Sequence, residues 1–227
     1  MELTQHISDE GYAIIPDVLA LREVQGILES LEQIDVRRSR AGARHMLAHV
    51  PIAEVARSPR MLDIARAVLG PDTFAFRATL FDKSQTANWL VAWHQDTALP
   101  LRCRSDIPGW GPWSLKDGVP YAHAPAHALE QVLALRLHLD DSLSENGPLR
   151  VLPATHKMGV LTDDSVHDLA TQITPTECTV RAGGALAMCP LVVHASSKSQ
   201  SNVPRRVLHI EYAASPSITA PLELAFT

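Results

Sequence analysis

An α+β fold, with helices first and a jelly roll or barrel of short strands after them, follows from three features of the chain. Apolar residues in the first third recur with a helical period. From Thr73 onward they fall in short blocks rich in apolar or β-branched residues, bounded by Pro, Gly, Asn and Asp. At 227 residues, 46% of them hydrophobic, the chain is long enough for one sizeable core. Residues 1–227 are therefore read as one domain, with helices over 1–70 and a strand-built core over 72–214.

Along the chain, LREVQGILESLEQI (21–34) places Val24, Ile27, Leu28, Leu31 and Ile34 on one helical face. The following PIAEVARSPRMLDIARAVLG continues the pattern, with Pro59 opening a new helix after Ser58 and Gly70 closing it. FAFRATLFD, NWLVAW, QVLALRLHLDD, LRVLPAT, ALAMCP and VLHIEYA read as strands. Residues 97–130, rich in Pro, Gly and Trp, have weak periodicity of either kind and are expected to form a lid. Trp110, Trp113 and Tyr121 would supply its apolar faces, and Arg102, Arg104 and Lys116 its charges for an anionic group. Trp110, Trp113 and Arg102 are its candidate substrate contacts.

A net charge of −5 without a Lys/Arg block provides no field for nucleic acid or anionic lipid, and suits a small neutral or cationic partner better. Cys103, Cys178 and Cys189 are odd in number and lack CxxC spacing, which argues against a disulfide framework and a thiolate zinc site. The acidic start MELTQHISDEG has no apolar core, and no run of 18 apolar residues occurs, so a cytoplasmic location is expected.

Three His-x-acid pairs stand out: His94/Asp96, His138/Asp140 and His209/Glu211. A tripeptide of this kind is expected about once by chance in such a composition. On a strand each pair would aim two side chains at one point, so geometry alone does not choose among them. A non-haem Fe(II) site needs a second histidine, which leaves three positions open for chemistry. His209/Glu211 has no histidine after it. His94/Asp96 can use His194 in CPLVVHASS, at the end of an apolar strand, and so can His138/Asp140. The latter pair, however, sits where LHLDDSLSENG turns, and there Asp140 and Asp141 more often bond local backbone. Ser196 and Arg205 follow His194 by two and eleven residues, offering a hydroxyl and a planar guanidinium for a carboxylate beside the metal.

With these residues in view, the chain resembles the phytanoyl-CoA dioxygenase family of Fe(II)- and 2-oxoglutarate-dependent oxygenases, which includes ectoine hydroxylases. The resemblance covers about residues 8–214 and is carried by FDK (81–83), WHQD (93–96), LDDSLSENGPLRVLPATH (139–156) and HASSKSQSNVPRRVLHIEYA (194–213). It implies a double-stranded β-helix of the jelly-roll kind flanked by N-terminal helices, with Fe(II) on His94, Asp96 and His194. It further implies that Arg205 binds the distal carboxylate of 2-oxoglutarate, that Ser196 supports it and that Lys83 faces the cosubstrate. Arg206 should point to the opposite face of its strand. The implied reaction consumes dioxygen and 2-oxoglutarate, releases succinate and carbon dioxide, and hydroxylates a C–H bond of a small molecule. Desaturation or epimerisation at the same site, or a silent metal- or ligand-binding jelly roll, are the alternatives. Asp96 argues against halogenation, which needs a vacant iron position.

Overall fold

The computed structural model describes residues 2–35, 42–84 and 87–227. Helices α1 (Glu2–Glu10), α2 (Leu21–Glu32), α3 (Val50–Ala56) and α4 (Pro59–Leu69) fill the first third, with one departure from the expected pattern. Tyr12–Ile15 forms strand β1 and joins the main sheet as an edge strand, its four residues too short a run to reveal a period beside two helices. The helix boundaries follow local chemistry. Pro59 starts α4 at a position where its missing N–H costs nothing, and Gly70 ends it at a φ of 99°. Glu23 accepts the Ala20 N–H and pairs with Arg60, joining the start of α2 to α4.

Strands β2 (Phe74–Lys83), β3 (Val91–His94), β4 (Ala98–Pro100), β5 (Trp113–Lys116) and β6 (Val119–His123) follow, then the short helix α5 (Ala126–Leu129) and β7 (Val132–His138). After them come β8 (Leu149–Val151), α6 (Asp163–Gln172), β9 (Thr176–Cys178), β10 (Ala185–Met188), β11 (His194–Ser196), β12 (Arg205–Ala213), β13 (Ser217–Thr219) and β14 (Leu222–Glu223). Two antiparallel sheets make the jelly roll, one in the order β1-β10-β7-β12-β2 and one in the order β3-β11-β8-β9.

The two faces of the larger sheet differ in kind. Leu80 of β2, Leu133, Leu135 and Leu137 of β7, and Leu208, Ile210 and Tyr212 of β12 pack outward against Ile7, Val24, Ile27, Leu31, Ile52 and Met61 of the helices. Alternation then turns Lys83, Phe81, Thr79, Arg77, Arg136, His138, Arg205, His209 and Glu211 to the inner face. The buried Tyr212 hydroxyl donates to the Ala56 carbonyl and ties α3 to that sheet.

Residues 97–130, expected as a lid, contain a three-stranded sheet in the order β4-β6-β5 together with α5. Leu99, Leu101, Trp110, Ala122, Ala124 and Leu129 bury themselves in a satellite core with Phe76 and Leu222. The strands there have only three to five residues each and are separated by Pro and Gly, so their period of two was hidden. The chain beyond residue 214 also belongs to the fold: Thr227 exchanges backbone hydrogen bonds with Phe76 and Ala78.

Gly147 connects the fold to its interior. At φ 67° it occupies the left-handed region, and a Cβ there would lie 2.4 Å from the Ser197 carbonyl. Gly147→Ala is expected to lower stability by about 1–3 kcal/mol, from positive-φ strain and forced movement of the backbone after β11. Gly26, in mid-α2 with open space at its Cβ position, is the control. Gly26→Ala should stabilise by about 0.5–1 kcal/mol. Urea denaturation midpoints of both variants test this contrast.

Candidate metal centre

Antiparallel pairing of β3 with β11 sets His194 directly opposite His94, and the two rings lie with centroids 4.2 Å apart. Asp96 follows just beyond β3, its N–H held by the Pro190 carbonyl at 2.9 Å. Its two carboxylate oxygens lie 3.6 Å from Nε2 of His94 and of His194 respectively. One donor atom from each residue falls within 4.8 Å of the others, and among the described residues this is the one such group of three. Cis ligands on a metal with bonds of about 2.1 Å lie roughly 3 Å apart, so the three donors fit one ion after a small contraction.

The remaining atoms of the triad are arranged to leave these donors free. His94 Nδ1 lies 2.8 Å from the Ala92 carbonyl and His194 Nδ1 2.9 Å from the Val192 carbonyl. A carbonyl only accepts, so each Nδ1 carries the proton and each Nε2 presents a lone pair to the ion. Burial pushes His194 down to about 3 and keeps it neutral. Burial also opposes ionisation of Asp96, but His194 and His94 beside it hold the carboxyl well below its usual range. Gln95, between the two ligands, points the other way. Its amide donates to the Gly159 and Leu191 carbonyls and accepts from the Leu161 N–H, anchoring the tripeptide by three bonds.

A cavity of about 440 Å³ opens from the triad, with Arg136, Ser196 and Arg205 at its polar positions and Phe81, Trp89 and Leu149 at its apolar ones. Arg205 and Lys83 are opposite each other across β12 and β2. Lys83 Nζ lies 2.9 Å and Arg205 Nη2 3.4 Å from Ser196 Oγ, and that hydroxyl donates to the Gly147 carbonyl at 2.9 Å. Arg206 projects to the other side of its strand and is held by both carboxylate oxygens of Asp140 at 2.8 Å. Asp141 caps the Ala182 N–H, and Asn146 bonds the backbone of Leu143 and Asp141, so this stretch acts locally.

His138 is buried with neither ring nitrogen bonded, and burial together with Arg136 and Arg205 pushes it well below its usual value. His209 and Glu211 belong to a charge cluster with Arg77. Cys178 and Cys189 are buried or half-buried free thiols, pushed up by burial to about 12 and about 11.

Arg136 escaped the sequence reading. It is 6% exposed, its Nη1 donates to His209 Nδ1 at 3.0 Å, and its Nε has no hydrogen-bond partner among the described residues. Its signal was an arginine inside the otherwise apolar alternation VLALRLHL. Conversely, the three proposed substrate contacts on 97–130 line no part of this cavity. Trp110 is buried in the satellite core, Trp113 packs at that core's edge with Arg104 over its ring, and Arg102 pairs with Glu223 at 2.8 Å. Their apolar and charged surface is used in fastening the small sheet to the β13–β14 hairpin.

The phytanoyl-CoA dioxygenase (PhyH) family matches residues 7–207 of the chain. The L-proline trans-4-hydroxylase of Streptomyces griseoviridis is 26% identical, over 87% of this chain and 78% of that protein. The crystal structure of EctD from S. alaskensis with bound Fe shares the fold, with a TM-score of 0.75 at 19% identity, over 99% of this chain and 79% of the other. The epimerase SnoN from nogalamycin biosynthesis shares it with a TM-score of 0.67 at 19% identity, over 93% and 80% of the two chains. Among the described residues no helix is long and apolar enough to cross a membrane.

Replacing His94, Asp96 or His194 by Ala is expected to abolish stoichiometric Co(II) binding, read from the visible d–d absorption of the ion. His138→Ala should retain it. Loss in the His138 variant with retention in the His94 variant would move the centre to the other tripeptide.

Proposed function

The chain belongs to the phytanoyl-CoA dioxygenase family, and on that premise we propose that His94, Asp96 and His194 hold Fe(II), with 2-oxoglutarate in the cavity beside them. The protein is an Fe(II)- and 2-oxoglutarate-dependent dioxygenase that hydroxylates a C–H bond of a small molecule and releases succinate and carbon dioxide. Bound together, the metal and cosubstrate supply the oxidising chemistry. The chain's own residues orient the cosubstrate, exclude water and keep the donors in their binding forms.

One observation carries the assignment of the cavity. Lys83, Arg136 and Arg205 are each at most 6% exposed, and among the described residues none has a carboxylate partner. Burying one uncompensated cation is costly and burying three close together more so, unless a ligand brings the negative charge. The cost is visible in the groups themselves. Burial and the neighbouring Arg205 and Arg136 push Lys83 down to about 7, and burial with Arg136 pushes Arg205 to about 10. A dicarboxylate answers both ends: Arg205 and Lys83 take the distal carboxylate, with Ser196 Oγ accepting from both cations and positioning them, while Arg136 faces the end nearer the metal. Phe81 and Leu149 shield the space between from solvent, which strengthens each of these contacts.

Arg205→Ala is expected to weaken 2-oxoglutarate binding by about 2 kcal/mol or more, because a sheltered carboxylate loses its charged partner. Arg206→Ala, which breaks only the Asp140 pair, should change it by under about 0.5 kcal/mol. Calorimetry under nitrogen decides, and the reverse order would reject the assignment. A pH dependence follows from Lys83. With its pKa pushed down to about 7 by burial and the neighbouring arginines, Lys83 is largely neutral at pH 8 when no anion is bound. A bound dianion favours the charged form and raises that pKa, so binding takes up a proton, and affinity falls as pH rises above 7. Titrations at pH 8 in buffers of different ionisation enthalpy should show this uptake, and Lys83→Met should remove it.

A further inference from the structure

A second cavity, of about 260 Å³, lies on the other side of Asp96. Asp96 and Phe81 line both cavities, so the second one borders the Asp96 side of the metal-binding triad. Apart from Gly42, its remaining wall is polar: Arg44, Arg77, Thr79, Lys116, His209 and Glu211. We propose that this cavity is the substrate site, that it takes a small molecule bearing one carboxylate, and that Lys116 is the counter-ion of that carboxylate. The proposal rests on the Fe(II)/2-oxoglutarate reading above and names the substrate class of the same centre.

Asp96 is taken up by the metal-binding triad, and the other charges in the wall pair off until one remains. Arg77 grips Glu211 through Nε and Nη2, and His209 Nε2 stands 3.6 Å from the same carboxylate. Because His209 Nδ1 accepts from Arg136, its proton sits on Nε2 and points at Glu211. Glu211 is therefore saturated by cationic and N–H donors and has little acceptor strength to offer a substrate ammonium. Arg44 pairs with Asp117 at 3.5 Å. Lys116 is left: it has no carboxylate partner among the described residues, and its Nζ sits 4.7 Å from the centre of the Tyr121 ring. An aromatic face steadies an ammonium without neutralising it, so one positive charge faces the cavity. Thr79 adds a hydroxyl for which no protein partner exists among the described residues.

Size and polarity narrow the class further. About 260 Å³ is below the roughly 300–1,000 Å³ of cavities that enclose drug-sized ligands. Phe81 is the one large apolar side chain in the wall, so a long acyl chain finds no apolar channel. A compact acid of amino-acid size, held by its carboxylate at Lys116, would present a carbon toward the metal on the Asp96 wall.

The test uses the full-length protein loaded anaerobically with Fe(II) and 2-oxoglutarate. Free α-amino and imino acids and short monocarboxylates are titrated in beside their carboxamides, with the metal–cosubstrate absorption band as the readout. At least one acid is expected to perturb the band, with its carboxamide about tenfold weaker or worse. Lys116→Gln should weaken that acid by about tenfold and erase the preference over the amide, Lys116→Arg should recover most of it, and 2-oxoglutarate titrations should match wild type in both variants. Equal binding of acids and amides, an unchanged preference in Lys116→Gln, or no response to any acid would overturn the inference while leaving the cosubstrate reading intact. Absence of the band in the wild-type protein would instead overturn both.

Discussion

The register of β11 against β3 is the constraint on which the site depends. It puts His194 opposite His94, so two imidazoles separated by a hundred residues of chain converge without needing a long or flexible reach. A slip of one residue would turn His194 to the opposite face and leave the pair apart. The register is over-determined. β8 holds β11 from its other side with His194 opposite Val151, Thr155 accepts the Val193 N–H, and Gln95 fixes the turn after His94 from behind. The ligands are thus set by the backbone of a packed sheet, and each ring by the carbonyl two residues before it.

The same alternation explains how the protein tolerates so charged an interior. The outer face of the larger sheet meets four helices through a nearly continuous apolar surface, and hydrophobic burial there is the main stabilising term. The inner face is consequently free to carry groups that oppose folding. The charges on it form two sets: Arg77 and Glu211 are matched with each other, while Lys83, Arg136 and Arg205 have no carboxylate partner among the described residues. Matched pairs hold a shape, whereas unmatched cations of one sign, gathered beside metal donors, describe a ligand.

Much of this was legible in the sequence where a periodic run was long or a motif had a partner at a fixed distance. Strands β2, β7 and β12 came from short apolar or β-branched runs bounded by turn residues, and the choice of His94 and Asp96 came from His194 and Arg205 downstream. The structure adds the reason His138/Asp140 drops out: Asp140 is engaged by Arg206 on the far side of the strand. Residues 97–130 were harder, because three strands of three to five residues, interrupted by Pro and Gly, show no period of their own. Trp110 and Trp113 looked free for a ligand only because the satellite core that absorbs them is assembled from Phe76 and the last residues of the chain. Net charge says little about the site: −5 is a sum over the whole chain, whereas the residues lining each cavity include more cations than carboxylates.

Arg136 joins the two cavities physically. It lines the larger one, donates to His209 in the wall of the smaller one, and through His209 faces the Glu211–Arg77 pair. The guanidinium cannot turn fully toward a ligand in the larger cavity without loosening its bond to His209, and His209 cannot turn without disturbing the proton it directs at Glu211. One contiguous run of charged and polar side chains, Arg136, His209, Glu211 and Arg77, therefore forms part of the wall of both cavities. That arrangement sets two spaces with a shared charged wall beside one set of metal donors.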